Sequence, residues 1–143
     1  MKSFIVAFLL SALSSFGYTD RELVATCLIR EAGAPGECMA SVMHVIANRS
    51  KTDTYAGFKS VITRKHQFES IWGQDRVAIV AKAKKHGRFN EAMNLVRLAT
   101  IGKIPATKAM RATHFFNPKV VLPKWSQNME FVARIGGHDF YRE

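Results

Sequence analysis

The chain has 143 residues, which is enough for one domain with a substantial core and too few for a second. Its 21 lysines and arginines against 11 acidic residues give a formal net charge of +10, which favours a polyanionic partner: nucleic acid, anionic lipid or the acidic polymers of a cell envelope. Internal repeats, low-complexity segments and a metal-type Cys-x-x-Cys pattern are all missing from the sequence.

The first 17 residues predict an export signal. Lys2 precedes the apolar run FIVAFLLSAL, and Ser15 and Gly17 are the small residues that a signal peptidase prefers before a cut at Tyr18. The run is too short for an ordinary transmembrane helix of about 20 residues. A retained signal anchor, with transient membrane contact, and a packed N-terminal helix are the alternatives. The sequence therefore divides into residues 1–17, an export signal or signal anchor, and residues 18–143, a single domain exported to the periplasm or cell envelope.

Apolar spacing and stop signals predict a mostly helical domain. Asp20 is expected to cap the first helix, and the second helix carries a wide apolar stripe that should pack against the first. The predicted helical segments are Arg21 to about Arg30, Glu37–Arg49, Phe58–Ile62 (helix or turn), Val77–Lys85 and Asn90–Ile101. Asn48 and Arg49, at the end of the second segment, are interpreted as a helix cap and a member of an ion pair.

The last third of the chain is β-prone. Ala112–Phe116 and Phe131–Tyr141 carry strand-like composition, and Gly136-Gly137 predicts a hairpin turn within the second stretch. The expected fold class is mainly α with a small antiparallel β-sheet, that is, α+β.

Glu31 closes the first helix, directly before a turn rich in glycine and proline. A carboxyl held rigidly and partly desolvated at such a place can stay protonated near neutral pH, as a general acid must. The alternative is a solvated side chain at a helix end. Cys27 and Cys38 flank this segment, and two interpretations stay open for them: a disulfide that closes the loop, or two small buried residues.

Further along the chain stands a basic cluster, comprising Lys82, Lys84, Lys85, His86 and Arg88. A solvated helix face explains it, and so does a surface for an acidic polymer.

Several unusual positions occur in one order along the chain. They are Glu31, Glu37, Asn48-Arg49, Gln67-Phe68, Trp72, ATHFFNP (Ala112–Pro118), Pro123 with Trp125, and IGGHDFY (Ile135–Tyr141). This ordered set resembles the SleB-type cell-wall hydrolase family, known from spore-cortex-lytic enzymes and from relatives in bacteria and phages. The resemblance covers about Leu23 to Tyr141. The chain departs from the family pattern E-A-x-G-E and its following Gly-Gln pair, having EAGAPGE and then Cys38-Met39.

The resemblance implies a lysozyme-like domain (goose-type or transglycosylase-like) that cleaves the peptidoglycan glycan strand between N-acetylmuramic acid and N-acetylglucosamine. It also implies that Glu31 is the catalytic acid. Some family members are lytic transglycosylases, which leave a 1,6-anhydromuramic end. Such an enzyme needs only one acid, because the sugar's own 6-hydroxyl is the nucleophile. The expected activity is therefore that of a bacteriolytic lytic transglycosylase acting as a monomer on peptidoglycan glycan strands.

A two-carboxylate muramidase that adds water is the alternative enzyme. It needs a second carboxylate at roughly 5 Å for retention or 6.5 to 9.5 Å for inversion. Glu37 and Glu69 are the possible second carboxylates, with Asp75 a further candidate. Glu37 also suits the positive end of the second helix, and Glu69 suits an exposed position.

Sugar-binding residues are expected to combine amides with flat aromatic surfaces. The candidates are Gln67, Phe68, Trp72, His114, Phe116, Asn117 and Tyr141. The alternative interpretations place Phe68 and Trp72 in the core, Asn117 in a turn, and Tyr141 in a packed strand.

Other functional classes fit less of the sequence. No cofactor or metal is expected, since His114 and His138 lack further ligands at metal-site spacing, and neither a nucleophile elbow nor a phosphate loop is found. Nucleic-acid binding would explain the charge but not the export signal. A non-catalytic, basic envelope-binding or membrane-active protein is the remaining alternative, and it would make Glu31 dispensable.

Overall fold

The computed structural model describes residues 17–143. The predicted export signal therefore lies outside the described residues, apart from Gly17. Within the described range, no helix combines the length and the apolar character needed to cross a membrane.

Five α-helices precede a three-stranded sheet in the described residues. In chain order the elements are α1 (Asp20–Ala32), α2 (Met39–Arg49), α3 (Tyr55–Ile62), α4 (Arg76–Ala83), α5 (Phe89–Ala99), β1 (His114–Phe116), a 3-10 helix (Lys124–Asn128), β2 (Glu130–Ile135) and β3 (His138–Arg142). The predicted α+β class is confirmed. The lysozyme-like part of that expectation stays a prediction.

The N-terminus of α1 is capped by Thr19, not by Asp20 as predicted. The Thr19 hydroxyl accepts a 3.1 Å hydrogen bond from the amide of Glu22, whose carboxylate accepts one of 2.9 Å from the amide of Thr19. This reciprocal pair satisfies two of the amides that a helix start leaves free. Asp20 instead pairs with Lys59 at 3.0 Å. A similar threonine cap, Thr54, explains why α3 begins at Tyr55 and not at Phe58.

The helix α1 is the centre of the helical body, because it packs against α2, α3, α4 and α5. Its residues from Leu23 to Leu28 are all buried, so it is covered on every side for more than a turn. The predicted contact between α1 and α2 is confirmed. The helix ends where Gly33 donates its amide to the carbonyl of Ile29 at 2.9 Å; a Cβ on Gly33 would lie only 2.4 Å from that oxygen. The end of α1 is thus fixed by a residue that has to be glycine.

The sheet has the strand order β1-β3-β2, and both pairs are antiparallel. The predicted hairpin turn is confirmed between β2 and β3, where Ile135 pairs with His138 and Gly136 has φ +57. The sheet is tied to α2 through Asn48, whose side-chain amide donates to the carbonyls of Met110 (3.0 Å) and Ala112 (2.8 Å). Asn48 therefore anchors the segment that leads into β1 and is not the helix cap that was predicted.

Candidate active site

Glu31 lies in the last turn of α1, with its carboxylate directed at Ser70. The Ser70 hydroxyl donates a 2.7 Å hydrogen bond to Oε1 of Glu31. Arg30 donates from Nε to the carbonyl of Ser70 at 2.8 Å. Two consecutive residues of α1 thus bind the side chain and the backbone of Ser70, which fixes the position of the Glu31 carboxylate.

Burial raises the pKa of Glu31 above the ordinary value of a glutamate. The hydrogen bond from Ser70 and the charges of His138 and Arg30 act in the opposite direction, whereas the nearby Glu69 adds to the increase. Because the net shift is upward, Glu31 keeps a proton to higher pH than a solvated carboxyl does. This is the property that general acid catalysis near neutral pH requires.

A cavity of about 490 Å³ opens in front of Glu31. Its walls come from the end of α1, the segment that follows α3, and the face of β1 with the loop beyond it. Five of the predicted sugar-binding residues line it together with Glu31: Gln67, Phe68, His114, Phe116 and Asn117. Gln67, His114 and Asn117 bring polar groups to this space, as carbohydrate binding needs. Phe68 and Phe116 are buried, at 2% and 6% exposure, and Phe68 belongs to the hydrophobic core, as its alternative interpretation expected.

Two predicted sugar-binding residues, Trp72 and Tyr141, do not line this cavity. Trp72 stacks against His66, a lining residue, with ring centroids 4.0 Å apart. Tyr141 stacks behind Phe116 at 5.5 Å, which agrees with its alternative interpretation as a packed strand residue. In this structure both residues support the cavity wall and do not form it.

The cavity also contains residues that were not predicted to bind. They are Arg49, His66, Phe115, Val120, Val121, Trp125, Met129 and His138. Four of them, Arg49, Phe115, Trp125 and His138, stand within the ordered motifs, so the motifs themselves were the signal. Ser70, the partner of Glu31, carries no such signal, because a serine in a loop is unremarkable.

Arg49 places a positive charge in the cavity and does not form the predicted ion pair. Its guanidinium donates to Oε1 of Gln67 and lies 5.7 Å from the centre of the Phe68 ring. Among residues 17–143, no carboxylate lies within 4.0 Å of it. Burial is the main cause that lowers the pKa of Arg49, yet a guanidinium remains charged at any physiological pH. The charge is therefore available to a polar or anionic group of a bound ligand.

Glu37 lies outside the cavity lining and outside the second helix to which it was assigned, since α2 begins at Met39. Its carboxylate instead binds the β2–β3 turn, accepting from the amide of Gly137 at 3.0 Å and contacting Nδ1 of His138 at 3.1 Å. His138 lines the cavity, so Glu37 contacts a residue of the cavity wall from behind the lining.

Glu69, the other possible second carboxylate, lines the cavity with Glu31. It is exposed, as its alternative interpretation expected. Asp75 instead caps α4, accepting from the amide of Ala78 at 3.1 Å.

No group of three His, Cys, Asp or Glu side chains in the described part of the chain is arranged to hold a metal ion. Cys27 and Cys38 are both free thiols, the first buried and the second partly exposed.

The arrangement combines one partly buried, hydrogen-bonded carboxyl of raised pKa with a cavity of amides, imidazoles and aromatic rings. A family model described as Cell Wall Hydrolase matches residues 33–141, which is most of the chain. No curated protein and no solved structure gives a significant match.

Proposed function

The chain belongs to the cell wall hydrolase family, and this membership supports the conclusion that it is a peptidoglycan-degrading enzyme. On that premise, we propose that it cleaves the glycan strand between N-acetylmuramic acid and N-acetylglucosamine. Glu31 is the general acid of this proposal. The family match begins at Gly33, two residues after Glu31, so this role rests on the geometry of the site and not on the match.

One observation carries the proposal: the carboxyl of raised pKa that faces the cavity is Glu31, held by the Ser70 hydroxyl at 2.7 Å. Cleavage of a glycosidic bond needs a proton on the leaving oxygen and stabilisation of an oxocarbenium-like sugar. Glu31 supplies the proton, because its burial favours the protonated form.

In the proposed reaction, Glu31 protonates the glycosidic oxygen as the bond from that oxygen to C1 of the muramic sugar breaks. The 6-hydroxyl of the same sugar then attacks C1 and returns its proton to the Glu31 carboxylate. Attack within one sugar has a large entropic advantage over attack by water. The products are a new N-acetylglucosamine end and a 1,6-anhydromuramic end, and Glu31 is protonated again for the next cycle.

A second candidate reaction is hydrolysis by two carboxylates. It is favoured by one observation, that Glu69 lines the same cavity and raises the pKa of Glu31. In that reaction Glu69 would activate a water molecule and the product would carry a reducing end. Replacing Glu69 by glutamine would then abolish turnover, whereas a transglycosylase would retain most of it.

The test of the proposal is the variant Glu31→Gln, assayed by the clearing of a suspension of purified sacculi. We expect a loss of turnover of about a thousandfold or more, since the variant lacks the proton donor while binding is retained. Glu130→Gln is the matched control, because Glu130 is an exposed glutamate on β2 that pairs with Arg142 at 2.8 Å. Clearing by Glu31→Gln at the wild-type rate would refute the proposal and favour a non-catalytic, envelope-binding protein.

The proposed substrate lies outside the cytoplasmic membrane, which suits the proposed export signal at residues 1–17. Mass spectrometry of the mature protein tests this proposal. A chain that begins at Tyr18 is expected, and one that begins at Met1 would favour a retained anchor.

A further inference from the structure

A second cavity, of about 340 Å³, lies between the last turn of α1 and the C-terminal half of α4. We call it the α1–α4 groove. Its lining residues are Ile29, Arg30, Ile79, Lys82, Ala83, Lys85 and His86. It thus contains three members of the basic cluster that the proposed catalytic site leaves unexplained.

The basic cluster divides into paired and unpaired charges. Lys84 pairs with Glu22 at 2.6 Å, and Arg88 pairs with Glu91 at 2.9 Å. Neither Lys84 nor Arg88 lines the groove. Lys82 and Lys85 do line it, and no carboxylate of the described residues lies within 4.0 Å of either. Within the basic cluster, the two lysines that lack an acidic partner are therefore the two that line the groove.

Arg30 adds a third cation to the groove without an acidic partner of its own. Its side chain donates to the carbonyl of Ser70 at 2.8 Å, and no carboxylate of the described residues lies within 4.0 Å of it, although its charge also acts on Glu31. No acidic residue lines the groove. Three cations and no carboxylate among the lining residues favour an anionic ligand.

The floor of the groove is apolar. Ile79 is 9% exposed and Ala83 is 4% exposed, and Ile29 completes the surface beside them. A simple phosphate or sugar would leave this floor in contact with water. The fitting ligand therefore carries small apolar groups next to its negative charges.

The groove and the catalytic cavity share the end of α1. Arg30 faces the groove and Glu31 faces the cavity, and both bind Ser70. Consecutive residues of α1 thus contribute to the cavity and to the groove.

We propose that the α1–α4 groove binds the stem peptide of peptidoglycan, an inference that rests on the proposed function. The stem peptide combines alanine methyl groups with free carboxylates, so it matches both the apolar floor and the unpaired cations. Lys82, Lys85 and Arg30 bind its carboxylates, and Ile29, Ile79 and Ala83 contact its methyl groups. The enzyme therefore prefers glycan strands that carry stem peptides over strands from which they have been removed.

The test measures the dissociation constant in the Glu31→Gln background, where the strands are bound without being cleaved. Soluble strands released by an endopeptidase keep their stems, and strands treated with an amidase lose them. The stripped strand keeps its lactyl carboxylate and stays a polyanion, so it controls for nonspecific charge. We expect the Lys82→Gln/Lys85→Gln variant to bind stem-bearing strands about threefold to tenfold more weakly and to bring the ratio of the two constants close to one.

Lys51→Gln/Lys103→Gln removes the same charge at two exposed lysines that line neither cavity, and it should leave the ratio unchanged. Equal weakening by both double variants would overturn the inference, since net charge alone would then explain binding. Binding to phosphatidylglycerol vesicles is measured for the same variants. The inference would also be overturned if Lys82→Gln/Lys85→Gln weakened binding to these vesicles but not to stem-bearing strands, because the groove would then be assigned to a membrane surface. The measurement uses no turnover, so its failure is distinguishable from a failure of the proposed reaction.

Discussion

The hydroxyl of Ser70 donates a 2.7 Å hydrogen bond to Oε1 of Glu31, across 39 positions of the sequence. This bond stabilises the ionised carboxylate and so limits how far burial raises the pKa of Glu31. The two effects together set the pH range in which the proposed acid carries a proton.

Ser70→Ala is expected to move the alkaline limb of the pH–rate profile upwards. Without the hydroxyl, the ionised form of Glu31 loses a hydrogen bond of about 1.5 kcal/mol, so the pKa of Glu31 rises further. The position of the alkaline limb is measured from the rates of sacculus clearing between pH 5 and pH 9. Ser60→Ala, at an exposed serine on α3, serves as the control and should leave the profile unchanged. A limb that stays in place in Ser70→Ala would show that Glu31 is not the group that titrates.

Glu31→Gln is expected to be more stable than the wild type at neutral pH. The pKa of Glu31 is raised in the folded state, so the native protein binds this proton more tightly than the unfolded chain. The stability linked to this group is fully present below the unfolded pKa, about 4.3, and is lost as the pH rises through the higher folded pKa. Glutamine does not ionise, so the Glu31→Gln variant does not lose this stability as the pH rises.

The measurement is the difference in Tm between Glu31→Gln and the wild type, taken at pH 4 and at pH 7.5. We expect a difference near zero at pH 4 and a gain of a few degrees at pH 7.5. A gain of equal size at both values would mean that the stabilisation is unrelated to the charge of Glu31.

Gly136→Ala is expected to destabilise the β2–β3 turn by more than the cost of its backbone conformation. Gly136 has φ +57, and a Cβ there would lie 2.3 Å from Oε2 of Glu37. The Glu37 carboxylate can move aside only by breaking its contacts with Gly137 and His138. Gly102→Ala is the matched control, since Gly102 has φ +67 but open space around its Cβ position.

Urea unfolding measures the loss of unfolding free energy in each of the two variants. Gly102→Ala should lose about 1 kcal/mol from the left-handed conformation alone, and Gly136→Ala about 1 to 2 kcal/mol more from the lost contacts of Glu37. Equal losses in the two variants would mean that Glu37 does not hold the turn.

Glu37→Gln is expected to reduce both stability and turnover. An amide in place of the carboxylate weakens the bonds to Gly137 and His138, which leaves the imidazole less fixed at the cavity wall. We expect a loss of about 1 to 2 kcal/mol in unfolding free energy, and a fall in kcat. Glu130→Gln, on the same hairpin, should cost less than about 1 kcal/mol because its pair with Arg142 is exposed. A wild-type kcat in Glu37→Gln would restrict Glu37 to a structural role.

The helices and the hairpin were predictable because their signals are local. Ala92, Leu95, Val96 and Ala99 have helical spacing in the sequence, and all four are buried in α5. The Gly136-Gly137 pair likewise marks the turn that joins β2 to β3. The start of α1 was missed by one residue because Thr19 and Asp20 are both good capping residues, and only the position of Glu22 decides between them.

The site was predictable only where a motif marked it. Glu31 and Gln67, which the ordered motifs marked, both line the cavity, whereas the contact of Ser70 with Glu31 spans 39 residues and was missed. Glu37 was placed on the second helix from its neighbours in sequence. Its actual partner, His138, lies 101 residues further along the chain. Contacts at that separation follow from the packing of the sheet against the helical body, which residue spacing does not encode.

Mass spectrometry of the muropeptides released from purified sacculi tests the central claim most directly. The wild type is expected to release fragments with 1,6-anhydromuramic ends, and Glu31→Gln is expected to release none. Reducing ends from the wild type would contradict transglycosylation and favour the two-carboxylate reaction with Glu69. Fragments of either kind from Glu31→Gln would contradict the assignment of Glu31 as the acid.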